Sequence, residues 1–341
     1  MASHGATAEA SLARSRRGMR SDQRAELVLG ALACFVLALI IGMVVFVFTK
    51  AWPSFSANGL AWFGTGGDVD QQLTDIFNSP ANPKAYVYEL RAWPLLYGTA
   101  LTTGGAVLVG LVFSVLAAIF IVEFAPERLQ RLLEPVVLLL AAVPSVVYGL
   151  IGILVVVPFV RDAFISEDRK KAVQYIVQLD GTSLAVAVAI LTVMIVPIMV
   201  AIIVDALRSV PRQWTEGAAA LGVNRWRVMW TISVRAVRPA IIAAAVLATA
   251  RALGEAIMLS MVSGSKAFAP NPLDGITFLF EPTRPLAATI VDNREGLSAV
   301  PLGQTIYAFA AVLLVSSLVL SFAGWYMKRG LRQGVIYGGS V

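Results

Sequence analysis

The sequence predicts an all-α polytopic membrane protein with six transmembrane helices. Hydrophobic residues make up 58% of the 341 residues and charged residues only 14%, with a mean hydropathy of +0.77. Several apolar runs approach the roughly 20 residues that a helix needs to cross a bilayer. One of these runs, about 239–262, carries only two charges, Arg251 and Glu255. We therefore expect the chain to be surrounded by a lipid bilayer.

The predicted spans divide the chain into three parts. The spans cover about residues 27–49, 93–122, 132–160, 183–204, 239–262 and 303–327. They predict an N-terminal tail 1–26, a six-helix transmembrane domain 27–327 and a C-terminal end 328–341. The third span contains Pro135, Pro144 and Pro158 as well as Gly149 and Gly152, so we expect it to be bent or broken.

The distribution of positive charge predicts the orientation. Of the 27 Lys and Arg residues, 16 lie in the tail, the 123–134 and 205–238 loops and the C-terminal end. Only ten lie in the alternate segments 50–92, 161–182 and 264–302, which are longer in total. Cytoplasmic loops carry an excess of Lys and Arg, so both termini are predicted to be cytoplasmic. Arg16-Arg17 resembles a twin-arginine signal, but the apolar run that follows is too long for a signal-peptide core.

Arg251 and Glu255 are the charges that most suggest a function. Their i, i+4 spacing would place both on one face of a continuous helix. An arginine near the middle of a bilayer costs roughly 2.5–3.5 kcal/mol on insertion scales, and such residues usually belong to an ion or substrate pathway. A charge pair that only locks helix packing is the alternative.

The residue types that are scarce limit the possible chemistry. His4 and Cys34 are the only histidine and the only cysteine, which excludes an intrachain disulfide, a Cys/His metal cluster and a His-dependent triad. The sequence has no G-x-x-x-x-G-K-[ST] loop, so ATP must be bound by a partner if it drives the process. We predict a protein that is not an enzyme, with no metal site and no cofactor of its own. A lipid-phosphate enzyme or a passive anion channel are the rival classes.

The 205–238 loop predicts two short helices joined by a tight turn. Pro211 suits a first helical turn, Gly222 a helix C-terminus, and Asn224 the N-cap of the next helix. The pattern resembles a DNA-binding helix-turn-helix. However, the segment returns to the membrane within about 34 residues, so no nucleic acid partner is predicted.

The same loop resembles the cytoplasmic motif of importer-type ABC permeases, E-A-A followed by Gly six residues after the Glu and then I-x-L-P. Glu216, Ala218, Gly222 and Ile232 match that pattern, Val234 replaces its Leu, and Gly217 and Arg235 depart from it. Runs in other spans resemble the permeases of phosphate importers, namely Tyr97–Thr103, Ala142–Leu150 and the R-A-L-G-E run Arg251–Glu255. This last run is similar to that of PstC-type subunits, although Ala256 stands where Thr is usual. The resemblance covers about residues 27–327.

The resemblance implies a MetI-like permease fold in a bacterial cell membrane, and a set of partners. These are a second, PstA-like permease, a PstB-like ATPase dimer that binds ATP and Mg, a PstS-like extracytoplasmic binding protein, and inorganic phosphate. The ATPase would be coupled through Glu216, Gly217, Ala218 and Gly222. A PstA-type role for this chain, or transport of another oxyanion, remains the alternative.

The resemblance also makes phosphate the expected ligand of the charged pair. The planar guanidinium of Arg251 can donate two parallel hydrogen bonds to phosphoryl oxygens. Glu255 is expected to pair with Arg251 when no substrate is bound. It is also expected to accept the proton that phosphate keeps near neutral pH and sulfate does not. Ser145 and Tyr148 in the third span are candidates to line the same path, with packing roles as the alternative.

Overall fold

The computed structural model describes residues 3–165 and 179–337, with side chains described for 25–165 and 179–327. Most of the predicted terminal segments 1–26 and 328–341, and much of the segment 161–182, lie outside the described side chains. The chain divides into two compact units, Met1–Lys50 and Ala51–Val341. This division does not test the predicted domain boundaries at residues 26 and 327, which stay a prediction.

The first unit is formed by the long helix α1, Ser3–Asn58, whose last residues belong to the second unit. The predicted span 27–49 lies within this helix. Its apolar side chains are exposed to the surroundings, with Phe35 61% and Leu29 65% exposed. An apolar surface of this kind is expected of a helix that is in contact with lipid.

The described part of the second unit is mainly helical. Its α-helices are α2 Val69–Phe77, α3 Trp93–Ile119, α4 Glu127–Ala142, α5 Ser145–Ile151, α6 Val157–Phe164, α7 Leu184–Arg208, α8 Arg212–Ala220, α9 Arg225–Val228, α10 Val234–Ala236, α11 Arg238–Leu253, α12 Ile257–Val262, α13 Leu286–Asp292 and α14 Val300–Tyr337. Short π-helical turns follow α3, α5 and α9 at Phe120–Phe124, Gly152–Val156 and Met229–Ser233.

The number of spans agrees with the prediction. Among the described residues, five helical stretches are long and apolar enough to cross a membrane, and a bent pair raises the number to as many as six. The pair is Arg225–Ala236 with Arg238–Leu253, which meet at 69°. Pro239 occupies the first turn of α11 just after this bend, where a proline can be accommodated. The all-α prediction is confirmed.

Helices α3 and α7 form the centre of the second unit, where small residues bring them close together. A Cβ atom at Gly110 would lie 2.8 Å from the Cε atom of Met199. The Ser114 hydroxyl donates to the Val196 carbonyl at 3.4 Å across the same contact. Because lipid is as apolar as a hydrophobic side chain, close packing of this kind is what holds helices together in a bilayer.

A nearly buried arginine joins the first and third of the segments predicted to be external. The Arg284 side chain is only 11% exposed and forms ion pairs with Asp70 and Asp292, with an Nε–Oδ2 distance of 3.2 Å to Asp292. Asp70 precedes the second span and Asp292 ends α13. The two carboxylates compensate the buried guanidinium, so this contact fixes α2 against the loop that leads into α14.

The aromatic residues of segment 50–92 divide into two groups. Trp62 is fully buried, and its ring centroid lies 5.0 Å from that of Phe55 and 5.9 Å from that of Phe309. Trp62 is therefore a core residue of the second unit. Tyr88 donates its hydroxyl to Gln304 at 2.5 Å, and burial, with a smaller effect of Tyr86, raises the pKa of its phenol.

Candidate functional site

The third predicted span is broken in the middle. Helix α4 ends at Ala142, and α5 starts at Ser145, directly after Pro144. Val143 is extended, with φ −63° and ψ 130°, as expected for a residue that precedes proline. The single range 132–160 is therefore two helices, and the break that the prolines predict is confirmed.

The Tyr148 hydroxyl spans this break. It donates to the Leu140 carbonyl at 2.9 Å, and the Val143 amide donates to the same oxygen at 3.3 Å. The last carbonyls of a helix have no partner within the helix, which is costly inside a bilayer, and this one accepts two hydrogen bonds. Tyr148 is 7% exposed, so its hydroxyl holds the break together. Ser145, at the start of α5, is half-buried.

The fifth predicted span is also interrupted, and this corrects the prediction for the charged pair. Helix α11 ends at Leu253, and α12 begins only at Ile257. Arg251 and Glu255 therefore do not share a face of one helix. Gly254 lies at the end of α11, where glycine favours termination. The Glu255 carboxylate accepts from the Met258 amide at 3.2 Å and caps the first turn of α12.

The two charges have different surroundings. Glu255 is 9% exposed, whereas Arg251 is exposed. Among the residues whose side chains the structure describes, no carboxylate lies within 4.0 Å of the Arg251 guanidinium. The expected Arg251–Glu255 pair is therefore not formed. Tyr148 of α5 lies near Arg251.

The two broken spans pack directly against each other through glycines. A Cβ atom at Gly149 of α5 would lie 3.2 Å from the Cα atom of Met258 in α12. A Cβ atom at Gly152, one turn further on, would lie 2.6 Å from the Cγ1 atom of Val262. The breaks at Pro144 and Gly254 therefore belong to neighbouring segments, with Tyr148, Glu255 and Arg251 around them.

The 205–238 loop forms the two short helices that its sequence predicts. Pro211 precedes the first residue of α8, and Asn224 caps α9 by accepting from the Arg227 amide at 3.3 Å. Gly222 is left-handed, with φ +77°. Its amide donates to the Ala219 carbonyl at 2.9 Å and the Val223 amide to that of Ala218 at 3.3 Å. This Schellman arrangement ends α8 and requires glycine at that position.

Helix α8 lies on the surface of this chain, where another protein can contact it. None of its nine residues is buried. At Gly217 and Gly222, a Cβ atom would meet no other atom within 4 Å. Glu216 is exposed, as is the apolar Trp214, whose exposure is 51%. A short helix with small residues and an exposed tryptophan has the shape and chemistry of a contact surface for another protein.

Comparison with known proteins gives the family. The model of the family described as "Binding-protein-dependent transport system inner membrane component" matches residues 92–333. The chain belongs to this family. The matched range begins just before α3 and includes both broken spans and the α8–α9 loop.

Individual relatives cover almost all of this permease. It is 30% identical to "Probable ABC transporter permease protein YqgH" of Bacillus subtilis, over 89% of this chain and 90% of the relative. It is 29% identical to "Probable phosphate transport system permease protein PstC" of Methanocaldococcus jannaschii, over 89% and 92%. It shares its fold with a chain of a bacterial ABC transporter involved in alginate import, with a TM-score of 0.52 at 16% identity, over 91% and 98%.

Two parts of this permease could not be found from its sequence. One is the bidentate ion pair between Arg208 at the end of α7 and Glu134 in α4. The other is the Asp70–Arg284–Asp292 cluster. Arg208 lies 74 residues after Glu134 in the sequence, and Arg284 lies 214 residues after Asp70. No local pattern of charge predicts which of these partners meet.

The packing of α5 on α12 can be tested at Gly152. In Gly152→Ala the added methyl would collide with the stiff Val262 side chain, and we expect a loss of about 1–3 kcal/mol of stability, as for an overpacked core. Thermal unfolding of the purified permease in detergent measures this. Gly104→Ala is the matched control, because nothing lies within 4 Å of its added methyl. Equal melting temperatures for both variants would contradict the contact.

Proposed function

We propose that this permease is one of two membrane subunits of an ATP-driven importer of inorganic phosphate, and that it forms half of the path that phosphate crosses. The proposal rests on the surroundings of Arg251. This residue is an exposed arginine in a membrane-spanning segment, without a carboxylate partner among the described side chains, next to two broken helices. Breaks at membrane depth are tolerated where the backbone lines a cavity or packs on protein.

Phosphate suits Arg251 for chemical reasons. The guanidinium keeps its charge at any physiological pH and can donate two parallel hydrogen bonds to phosphoryl oxygens. The Tyr148 phenol, close to that charge, and Ser145 on the same short helix would complete a polar wall. Relatives such as the one from Methanocaldococcus jannaschii carry phosphate transport in their names, which supports phosphate over other anions.

Two alternatives stay open within the same class. The R-A-L-G-E run favours a PstC-type role. A PstA-type role is the second candidate, because PstA-type permeases carry a related R-x-x-G-E motif. Another oxyanion of similar size is the second candidate for the substrate. A passive anion channel is disfavoured because it would not need the exposed α8 surface.

The proposal assigns ATP binding to partner chains. This permease has no nucleotide-binding loop in its sequence, so we infer that it is not itself an ATPase and that a PstB-like dimer binds ATP and Mg. Helix α8, with Glu216, Gly217, Ala218 and Gly222, would be the surface that contacts it. A PstS-like binding protein would deliver phosphate from outside, and a PstA-like permease would supply the other half of the path.

The orientation follows from the same assignment. An ATPase bound at α8 lies in the cytoplasm, and with six spans this requires both termini to be cytoplasmic as well. The excess of Lys and Arg on that side supports the same orientation. The permease would then be an integral subunit in a bacterial cell membrane.

The role of Arg251 can be tested by uptake of radiolabelled phosphate into proteoliposomes that contain the whole complex. Loss of two charge-assisted hydrogen bonds in Arg251→Leu should lower uptake by roughly 100-fold or more. Arg251→Lys should retain little activity, because it keeps the charge without the forked geometry. Assembly should remain normal, since no carboxylate depends on this side chain.

Two further variants complete this test. Arg294→Leu removes an exposed arginine of the external segment and should leave uptake unchanged. Glu255→Gln should transport phosphate but reject sulfate less well, if this carboxylate accepts the proton of phosphate. Uptake by Arg251→Leu at the level of Arg294→Leu would contradict the role of Arg251. Unchanged rejection of sulfate by Glu255→Gln would contradict only the proton-acceptor hypothesis.

The role of α8 can be tested at its C-terminal turn. A valine at residue 222 is strained by about 1–2 kcal/mol in the left-handed conformation. We expect Gly222→Val to stay in the membrane while ATPase co-purification and uptake fall roughly tenfold, the population change that such strain produces. Gly217→Ala, which adds a methyl in open space within the same helix, should preserve ATPase binding better. Full co-purification of the ATPase with Gly222→Val would remove α8 from the interface.

A further inference from the structure

Helix α4 has an unusual place in the molecule, because each of its ends is attached to a different functional region. Its 16 residues, Glu127–Ala142, are all described, and none of them is buried. Leu133 and Val137 of this helix are partly buried and pack against the hydrophobic core. The contacts that α4 makes decide which parts of the protein move together with it.

The first attachment is the ion pair between Glu134 and Arg208. Arg208 Nη1 lies 3.2 Å from Glu134 Oε2, and Nη2 contacts Oε1, so the pair is bidentate. Bidentate geometry fixes direction as well as distance. Arg208 is the last residue of α7, and α8 begins at Arg212. The pair therefore holds α4 at the joint from which α8 projects.

The joint between α7 and α8 is short and hydrogen-bonded. The Ser209 amide donates to the Asp205 carbonyl at 3.3 Å, and the Val210 amide to the Leu207 carbonyl at 3.2 Å. Val210 also packs against the hydrophobic core. A displacement of α8 therefore also moves the end of α7 and Arg208, because the segment between the two helices is short and held by hydrogen bonds.

Space for a movement exists beside the ion pair. A cavity of about 140 Å³ lies between α4, α7 and the π-helical turn after α3. Glu134, Asp205 and Arg208 line it, together with apolar residues such as Val137 and Val204. The side chains around the ion pair are therefore less closely packed than those of a protein interior.

The second attachment is the hydrogen bond from Tyr148 to Leu140 at 2.9 Å. Leu140 lies in the last turn of α4, and Tyr148 lies in α5, close to Arg251. A shift of α4 must therefore move Tyr148 or break this bond.

We propose that α4 couples the α8 surface to the Arg251 region, with the Arg208–Glu134 ion pair and the Tyr148–Leu140 hydrogen bond as its two attachments. Glu134, Arg208 and Tyr148 are positioning residues in this scheme. The inference rests on the proposed function, since it concerns how ATP hydrolysis at α8 reaches the phosphate path. It identifies α4, which lies outside the predicted substrate path and the predicted ATPase-coupling surface, as the connection between the two.

Charge reversal tests the first attachment. In the reconstituted complex, phosphate taken up per ATP hydrolysed is the quantity to measure. Glu134→Arg and Arg208→Glu should each lower it by roughly two- to thirtyfold, the range seen for residues that connect coupled sites. The double variant restores an ion pair with reversed polarity and should recover most of the ratio. A purely structural role would change the amount of complex and not this ratio.

The chain offers a matched control in the same helix. Glu127 and Arg131 form an ion pair at 3.4 Å, with side chains 87% and 82% exposed, and this pair connects α4 to nothing else. Glu127→Arg and Arg131→Glu should leave the ratio unchanged. For the second attachment, Tyr148→Phe removes only the hydroxyl and should lower the ratio while ATP hydrolysis continues.

The outcomes separate this inference from the proposed function. If the wild-type complex takes up phosphate on ATP hydrolysis, the proposed function stands whatever the variants do. Unchanged ratios in Glu134→Arg and Arg208→Glu would then overturn the role of α4, and so would a double variant that recovers nothing. Should the reversals assemble poorly, Glu134→Gln keeps the size of the side chain, and an unchanged ratio there would overturn the proposal as well.

Discussion

The requirement that backbone groups find partners inside a bilayer controls the arrangement of this permease. Two of its spans are interrupted, at Pro144 and at Gly254, and each interruption frees backbone groups with which lipid cannot form hydrogen bonds. The protein meets the requirement with its own side chains. The Tyr148 hydroxyl serves the Leu140 carbonyl, and the Glu255 carboxylate serves the Met258 amide.

The same two breaks give Arg251 its surroundings. Helix α11 ends two residues after the arginine, so Glu255 turns away to cap α12, and no described carboxylate lies beside the guanidinium. Packing of Gly149 and Gly152 against α12 then brings α5 to the same place. A cation that is accessible and not neutralised by the protein itself is suited to a mobile anion. Phosphate transport is the proposal that uses this arrangement most fully.

Much of the fold was predictable from local sequence. Apolar runs of bilayer length gave the spans, Pro144 gave the break in the third, and Pro211, Gly222 and Asn224 gave the α8–α9 turn. These features depend on a few adjacent residues, whose propensities act in the same direction as the tertiary structure. The family resemblance, carried by Glu216, Gly222 and the R-A-L-G-E run, agrees with the family shown by the comparisons.

The candidate site was only partly predictable, for a physical reason. The i, i+4 spacing of Arg251 and Glu255 predicts a stacked pair only if the helix continues, and a glycine at residue 254 does not reveal whether it ends the helix there. The capping bond to Met258 decides the matter. Similarly, Tyr148 was predicted to line the path, but its hydrogen bond to Leu140 depends on how α5 lies against α4. Long-range pairs such as Glu134–Arg208 leave no local signal at all.

The proposed function requires that Arg251 faces an aqueous path and not lipid or protein. Cysteine accessibility in the assembled complex, on a Cys34→Ser background, tests it most directly. We predict that a charged methanethiosulfonate reagent modifies Arg251→Cys, but neither Ala252→Cys, which is fully buried, nor Phe35→Cys, on the lipid-exposed surface of α1. If Arg251→Cys resists the charged reagent and reacts only with a membrane-permeant maleimide, as expected for Phe35→Cys, Arg251 faces lipid and the account is contradicted.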